Sequence, residues 1–390
     1  MNRTCYWKQR QGKETQNESK ELKMLQGPFA RRPLRALGKS AWAGFLRAIG
    51  ILPLAKRWVR RQGTVVLTFH RVLNDAELEG TASLLGMIVR NRTFDDFLAY
   101  AARNLEIVSA GDDPEWKSNG KLKIALTFDD GWCDNATEAF PIARKHNAPI
   151  TIFIVTKRIG TTLPFWPEQA ASVLGLGLDA GTQERQRSIE QTIERMKSLP
   201  SAERKRIIKR ITHDEHRANS CKEVDRTMNW EQIKELRAGG VVFGSHTSTH
   251  EILTRIPLPQ AEEEIHASRE VITQCLGTAC DVFAYPNGDS SPETRSLVAK
   301  AGYKRAFLNQ WPGIWSSRTD PFAIPRVNIC EYHLVDKDGN FSPLIFDYAV
   351  VWATAKSHFQ FKLASIVQKL KHRLSGLDNT NALKAHGEKM

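Results

Sequence analysis

The 390 residues are enough for two average domains or for one large α/β barrel. A composition of 41% hydrophobic and 25% charged residues is that of a soluble globular protein, and it excludes collagen-like and low-complexity chains. The net charge of +13 is concentrated in residues 1–62, which hold fifteen basic and three acidic side chains. Because the rest of the chain is nearly neutral, we expect no nucleic acid partner.

The basic N-terminal segment divides into two parts. Residues 1–38 are polar and charged, which predicts disorder. From residue 40 to residue 59 apolar side chains recur with helical spacing, although Pro53 is expected to shorten the helix. The apolar face consists of Trp42, Phe45, Leu46 and Ile49. Residues 40–61 either bind an anionic membrane surface or dock on the rest of the protein, and the sequence favours neither.

Strands and helices then alternate along the chain, which predicts an α/β barrel. Apolar and β-branched runs predict strands at 64–69, 105–108, 123–128, 150–155, 241–245, 282–285 and 304–308. Periodic segments predict helices that begin near residue 94 and that span 135–145, 230–238, 260–274 and 292–301. We therefore predict a catalytic domain at 63–345, an N-terminal extension at 1–62, and a peripheral C-terminal helix and tail at 346–390.

A long insertion interrupts this alternation at residues 160–228. It begins with the aromatic stretch Phe165-Trp166-Pro167 and continues as a charged helical stretch at 183–217. Because insertions between barrel strands lie over the catalytic end, we expect this one to shape a substrate groove. Its two histidines, His213 and His216, are expected at the surface rather than at a metal.

The six cysteines show neither CxxC spacing nor the density of a disulfide-rich domain. Cys275 and Cys280 are close enough to form a bridge, but free thiols in a reducing compartment are the expected state. The N-terminus lacks the pattern of a secretory signal. We therefore expect a cytoplasmic protein, peripheral at the inner membrane face if the basic segment binds lipid. A true start at Met24 would reopen the question of export.

Two motifs follow predicted strands and carry metal-binding chemistry. Thr127-Phe128-Asp129-Asp130-Gly131 ends one strand with two carboxylates, and His246-Thr247-Ser248-Thr249-His250 begins directly after another. Either motif alone is common in turns or on helix surfaces. Together they bring three metal ligands and one spare base to the carboxyl ends of barrel strands, where such barrels hold their chemistry. The sequence therefore favours a catalytic mononuclear metal site that keeps one coordination position open.

With Phe283-Ala284-Tyr285-Pro286-Asn287-Gly288, these motifs resemble those of the polysaccharide deacetylases, the NodB-homology or carbohydrate esterase 4 group. The resemblance covers about residues 63–330 and rests on three motifs in the right order. It implies a deformed (β/α) barrel of about seven strands that removes acetyl groups from sugars with a divalent metal, usually zinc. The family includes secreted cell-wall enzymes and cytoplasmic enzymes that act on oligosaccharides or lipid-linked intermediates.

The resemblance also implies a role for each matching residue. Asp129 is the general base, and Asp130, His246 and His250 are the metal ligands. A backbone amide near the motif tyrosine, here Tyr285, stabilises the oxyanion of the tetrahedral intermediate, and the tyrosine can at the same time be a core aromatic residue.

The general acid and the arginine that orients the base are less clearly matched. The Leu-x-His motif that supplies the acid in many members is absent. A subset of relatives carries a Tyr-His-Arg-like motif at the first strand, which Phe69-His70-Arg71 resembles. His70 is therefore the preferred acid, with His333 as a second candidate. The third motif lacks the family's arginine, and either Arg326 or Arg71 could replace it.

The leading hypothesis is a metal-dependent hydrolase that deacetylates an N-acetylated sugar in a polysaccharide, an oligosaccharide or a lipid-linked glycan precursor, with Zn²⁺ as the expected metal. Trp311 and Trp315 could stack on a sugar ring or pack in the core. One alternative is a metal-dependent amidohydrolase that acts on a small non-sugar amide. A second alternative is a non-catalytic glycan-binding barrel, against which the intact set of acidic and histidine side chains argues.

Overall fold

The computed structural model describes residues 33–112, 120–174, 183–211, 223–309 and 313–360. The predictions on residues 1–32, on Trp311, on His213 and His216, and on the tail from 361 lie outside these ranges. Strands β1–β10 span Thr64–Phe69, Arg71–Leu73, Ile88–Arg90, Leu105–Val108, Leu122–Phe128, Ile150–Ile154, Val242–Ser245, Val282–Ala284, Arg305–Phe307 and Arg326–Asn328. Helices α1–α12 span Pro33–Ala48, Ile51–Gln62, Asp75–Leu78, Asn91–Asn104, Phe140–Lys145, Trp166–Val173, Gln183–Lys197, Ser201–Ile211, Trp230–Ala238, Leu258–Leu276, Pro292–Lys300 and Pro343–Phe346.

The strands form a parallel sheet that curls into a nearly closed barrel. Its order is β10-β1-β5-β6-β7-β8-β9, and β4 pairs with the first half of β5. The two ends of the sheet meet just before β10, where the N–H of Ile324 donates to the Ala306 carbonyl at 2.9 Å and the N–H of Leu308 donates to the Ile324 carbonyl at 2.8 Å. This seven-stranded barrel with surrounding helices confirms the predicted fold class. Strand β10 and the small parallel pair β2-β3 were not predicted.

The strands are buried on both faces, as parallel strands covered by helices are. Every residue of β1, β5 and β6 is buried. Their outward side chains join the main core beneath the helices. The inward side chains form a second cluster that fills the barrel, including Val66, Ala125, Phe153 and Phe307. Trp315 belongs to this inner cluster, and its backbone pairs with Thr64 at the start of β1. It therefore packs at the end of the barrel where the strands begin and does not form a sugar platform.

The parallel register brings the carboxyl ends of the strands to one end of the barrel. Thr68 and Phe69 of β1 lie beside Thr127 and Phe128 of β5. Ser245, the last residue of β7, is paired with the neighbouring strands β6 and β8. Each candidate site residue that follows one of these strands therefore emerges at the same end of the barrel.

The N-terminal segment folds as two helices, α1 and α2, rather than as one helix shortened by Pro53. The chain turns at Gly50, which has a φ of 82° that favours glycine. Pro53 lies in the first turn of α2, where a missing N–H costs no intrahelical hydrogen bond. The prediction that Pro53 interrupts the helix was therefore wrong, because proline is compatible with the first turn.

The apolar face predicted for this segment is divided between two sides of the helices. Leu46 is buried, whereas Trp42, Phe45 and Ile49 are exposed. On α2, Ala55 and Val59 belong to the main core. The helices thus dock on the barrel and still expose apolar side chains.

The chain beyond residue 345 shares the same core. Phe346, Val350, Val351 and Ala355 are buried within it, and the Lys56 ammonium of α2 lies 2.8 Å from the Asp347 carboxylate. The segment from 346 to 360 is therefore integrated rather than peripheral, and the boundary at residue 62 separates segments that share a core. None of the described helices is long and apolar enough to cross a membrane.

The insertion forms a small core of its own. Helices α6, α7 and α8 bury Ala170, Ala171, Ile189, Ile193, Met196 and Ile208 together. The Arg204 guanidinium of α8 ties this unit to the barrel through the Glu251 carboxylate at 3.0 Å. Helix α6 is therefore anchored beside the loop that follows β7.

We predict that Val59→Ala lowers the free energy of unfolding by about 1–3 kcal/mol, because it removes two methyl groups from a fully buried position. Leu54→Ala on the same helix is the matched control, since Leu54 is 66% exposed, and we expect it to change stability little. Chemical denaturation of both variants measures the difference. Equal effects would contradict the docking of α2 on the core.

Candidate active site

Asp130, His246 and His250 form a three-ligand cluster at the carboxyl end of the barrel. Their ligand atoms all lie within 4.8 Å of one another. The Asp130 Oδ1 atom is 3.3 Å from His250 Nε2 and 3.7 Å from His246 Nε2. This Oδ1 is buried without a hydrogen-bond partner, which is costly unless a further group binds there. One carboxylate and two imidazoles that converge in this way could hold a divalent metal ion.

The protonation states suit a metal. Burial lowers the pKa of His246 to about 4, so its imidazole is neutral at physiological pH. Burial alone would raise the pKa of Asp130, but the close approach of His250 outweighs this effect and holds that pKa far below its usual range. A neutral imidazole and an ionised carboxylate are the forms that bind metals.

Hydrogen bonds from outside the cluster orient its members. The His246 Nδ1 atom lies 2.7 Å from the Ala284 carbonyl oxygen, so Nδ1–H donates there and Nε2 faces Asp130. Trp132 Nε1–H donates to Asp130 Oδ2 at 3.0 Å. The two oxygens of Asp130 therefore differ in their surroundings. Oδ2 accepts a hydrogen bond from Trp132, and Oδ1 faces the two histidines.

Arg71 supports Trp132 and does not pair with the base. Its guanidinium carbon lies 4.3 Å from the centre of the Trp132 ring. The buried Asp134 and Asp225 carboxylates fix the guanidinium at 2.6 Å and 2.8 Å. Of the two arginines that the sequence left open, Arg71 is thus committed to a network behind the metal cluster.

The histidine motif is a strained loop rather than a helix turn. Thr247 and His250 have φ values of 70° and 68°, and Asp130 in the opposite loop has 74°. Such values are uncommon for residues with a side chain, and they persist where surrounding contacts determine them.

One buried carboxylate supplies most of those contacts. Glu264 of α10 accepts hydrogen bonds from the backbone N–H groups of Ser248 and Thr249 at 2.9 Å and 2.8 Å, and from the Thr249 hydroxyl at 2.6 Å. The small polar residues between the two histidines therefore hold the loop in place. Glu264 was not predicted, although a charged residue on the apolar face of a helix, between Ala261 and Ser268, was a usable signal.

Asp129 is paired with Arg326, which projects from β10. The guanidinium donates two hydrogen bonds to the carboxylate, at 2.8 Å and 2.7 Å. Burial raises the pKa of Asp129, but the charge of Arg326 outweighs this effect and holds the pKa below its usual range. Asp129 is therefore ionised beside the metal cluster, as a general base must be. Arg326 is thus the arginine that orients the predicted base.

His70 follows β1 and lies within the electrostatic field of both aspartates. Burial lowers its pKa, while the charges of Asp130 and Asp129 act in the opposite direction. Its Nδ1 atom is buried and has no hydrogen-bond partner. The second candidate acid, His333, instead contacts Cys330, and the one charge that affects it is that of Lys39.

The proposed role of the Tyr285 amide is not supported by the structure. Its N–H donates to the Phe307 carbonyl at 3.1 Å, and its hydroxyl donates to the Phe322 carbonyl at 3.0 Å. Both of its hydrogen-bond donors are therefore used inside the protein, and its ring is fully buried, so Tyr285 is a core aromatic residue. Pro286 has no N–H, so the next backbone donor is Asn287, whose φ is 59°. The motif tyrosine directed the sequence prediction to Tyr285 and not to Asn287.

Glu168 of α6 is a further buried carboxyl that sequence analysis missed. It is 2% exposed, and neither of its oxygens has a hydrogen-bond partner in the described structure. Burial and the nearby charge of Asp130 raise its pKa to about 8. The same helix begins after Phe165, whose ring lies 5.0 Å from that of His250. The insertion thus contributes the aromatic ring of Phe165 and the protonated carboxyl group of Glu168 to the surroundings of the site.

We predict that Glu168→Gln stabilises the metal-free protein, and more so at about pH 8 than at about pH 5. The unfolded chain ionises near the ordinary pKa of 4.5, while the folded protein keeps this carboxyl protonated up to about 8. The glutamate therefore loses stability as the pH rises through that window, and the amide does not. Melting temperatures in chelator measure the effect. Glu203→Gln, at an exposed position of α8, is the control, and a gain that is independent of pH would contradict the prediction.

Residues 117–306 match the sequence model of the family described as polysaccharide deacetylase. The Bacillus subtilis (strain 168) protein YxkH, named as a candidate polysaccharide deacetylase, is 22% identical over 206 residues, which are 53% of this chain and 51% of YxkH. The chain thus spans about half the length of this curated relative.

Two solved structures have similar folds. IcaB from Ammonifex degensii is 20% identical with a TM-score of 0.46, over 69% of this chain and 92% of IcaB. BC0361, a polysaccharide deacetylase from Bacillus cereus, is 18% identical with a TM-score of 0.48, over 74% of this chain and 69% of BC0361. The family match contains both aspartates and both histidines of the site, whereas His70 and Arg326 lie outside it. The match and the ordered motifs confirm the predicted resemblance to the polysaccharide deacetylases.

Proposed function

We propose that this protein is a metal-dependent deacetylase that removes acetyl groups from N-acetylated sugars in a polysaccharide, an oligosaccharide or a lipid-linked glycan precursor. The observation that carries the proposal is an ionised, arginine-held Asp129 beside the convergent cluster of Asp130, His246 and His250. The match to the polysaccharide deacetylase model supports deacetylation as the reaction. The arrangement of a base next to three ligands supports hydrolysis by water.

Asp130, His246 and His250 would hold the metal, and Zn²⁺ is the ion we propose. Two imidazoles and one carboxylate are a ligand set that zinc accepts while a position remains open. When bound, such an ion acts as a Lewis acid that polarises the acetyl carbonyl and makes water more acidic.

The side chains around this cluster have distinct proposed tasks. Asp129 accepts a proton from the water that attacks the carbonyl carbon. The Asn287 N–H is the backbone donor proposed for the developing oxyanion. The carbon–nitrogen bond then breaks, and the departing sugar nitrogen takes a proton from His70. Because burial lowers the pKa of His70, we propose that His70 receives during the reaction the proton that Asp129 has accepted from water, so that Asp129 is again ionised when the amine leaves.

We also propose that the protein works in the cytoplasm. The cysteines that the structure describes, Cys133, Cys275, Cys280 and Cys330, are all free thiols. Unpaired thiols are typical of a reducing compartment. There the enzyme would act on a glycan that is still being assembled.

We predict opposite metal contents for two neighbouring substitutions. Asp129→Asn should keep one metal per chain but lose roughly a hundredfold or more in rate, because an amide cannot accept the proton of water. Asp130→Asn should lose the metal and the activity together, because it weakens one of three ligands. Metal analysis and acetate release from N-acetylglucosamine oligomers measure the two properties.

Three results would redirect this assignment. An Asp129→Asn variant with full activity would remove Asp129 from the mechanism. Turnover of non-sugar amides alone would favour a small-molecule amidohydrolase. Glycan binding without metal and without acetate release would favour a non-catalytic barrel.

We predict that His70→Ala keeps its metal and fold but loses activity unequally. An amine must be protonated to leave, whereas the alcohol of an acetyl ester leaves with less help. The loss should therefore be larger on N-acetyl than on O-acetyl substrates of the same sugar. Equal losses on both would indicate that the substitution displaces the end of β1 rather than removing an acid.

A further inference from the structure

We propose that the outer face of α1 and α2 is a docking surface for an anionic lipid bilayer. This outer face consists of the apolar side chains Trp42, Phe45, Ile49 and Leu54 together with the guanidinium groups of Arg57 and Arg61. The inference is independent of the proposed activity, because none of these residues belongs to the metal cluster or its supports.

The apolar part of this face is large and rigidly presented. Trp42, Phe45 and Ile49 are 51%, 50% and 52% exposed, and Leu54 is 66% exposed. The Trp42 and Phe45 rings stack on each other, with centroids 5.4 Å apart. Scattered exposed apolar residues are ordinary, but four on two adjacent helices form a patch of the kind that marks an interaction site.

The opposite side of the same helices is buried, which fixes the orientation of the patch. Ala43 and Leu46 of α1 and Leu52, Ala55 and Val59 of α2 are all buried. The outer face therefore cannot turn inward without the loss of core packing. Apolar side chains that are held outward in this way can enter a second apolar phase at little further entropic cost.

The charge around the patch identifies the partner. The sequence from Pro33 to Gln62 contains seven basic residues and no acidic residue. Arg57 and Arg61 are exposed on the same side of α2 as Leu54, three and seven residues further along the helix. Basic residues that border a tryptophan-containing apolar face are the pattern of a helix that lies in the interface of an anionic membrane. Since the described helices cannot cross a membrane, the contact would be peripheral.

The position of the two helices brings the active end of the barrel toward this surface. Helix α2 leads into the start of β1, and Arg60 near its end donates to the Gly120 carbonyl at 2.7 Å, close to the start of β5. The end of α2 thus lies away from the site, and its beginning points toward the site. Lys39 of α1 donates to the Tyr332 carbonyl, which follows β10 by four residues. Helix α1, which carries Trp42 and Phe45, therefore also contacts the catalytic end of the barrel.

The test is sedimentation of the full chain with vesicles of phosphatidylcholine and phosphatidylglycerol. We expect the double variant Trp42→Ser/Phe45→Ser to bind at least about tenfold more weakly than the unaltered protein. Arg57→Gln should weaken binding about fivefold, and salt should abolish that difference because it screens surface charge. Leu258→Ser is the matched control, since Leu258 is 47% exposed on α10, outside the outer face.

Each outcome decides the proposal. Weakened binding by both variants, with unchanged melting temperature and unchanged acetate release from soluble oligosaccharides, supports it. Equal binding by all variants, or equal binding to phosphatidylcholine alone, overturns it. A change from dimer to monomer in the double variant, without any vesicle binding by the unaltered protein, would show instead that the face joins two copies of the chain. If the double variant does not fold, Arg57→Gln still decides through its salt dependence.

Discussion

The pairing of one guanidinium with one carboxylate inside the barrel is the constraint on which the rest of the site depends. Arg326 is 1% exposed, and the centres of the Phe153 and Phe307 rings lie 5.3 Å and 6.0 Å from its guanidinium carbon. A cation in such surroundings is strongly destabilising unless an ionised partner lies against it. Asp129 provides both of its oxygens. The structural requirement for a buried ion pair is therefore also what keeps Asp129, the proposed base, deprotonated.

In the two loops that carry the candidate metal ligands, backbone strain is offset by contacts directly behind the site. Asp130 and His250 adopt left-handed backbone conformations, which costs of order 1–3 kcal/mol at each residue. Trp132 holds the first loop and Glu264 holds the second. Both supporting side chains are buried, so the ligands can be placed precisely although they lie in loops rather than in strands.

The sequence predicted those strands whose residues form a local apolar pattern, and those site residues that directly follow such strands. Buried parallel strands are continuous apolar runs, so seven of them could be predicted, and the aspartates and histidines at their ends followed. Strand β10 could not be predicted in this way, because Arg326-Val327-Asn328 is short, follows a proline and contains a charge. Arg326, Glu264 and Glu168 are polar residues whose burial depends on partners far away in the chain. The periodicity of apolar residues depends on neighbours along the chain, so it cannot predict contacts with residues that are distant in sequence.

The distance between the base and its arginine along the chain affects how the enzyme is made. Asp129 and Arg326 are 197 residues apart, and β10 is the last strand of the barrel to leave the ribosome. A nascent chain can thus complete the strands that carry Asp130, His246 and His250 while Asp129 still lacks its counter-charge. Synthesis of β10 closes the barrel and supplies that charge in one event. The complete site is therefore formed late, after most of the barrel has been translated, and an incomplete chain carries the candidate metal ligands without the arginine that holds the proposed base.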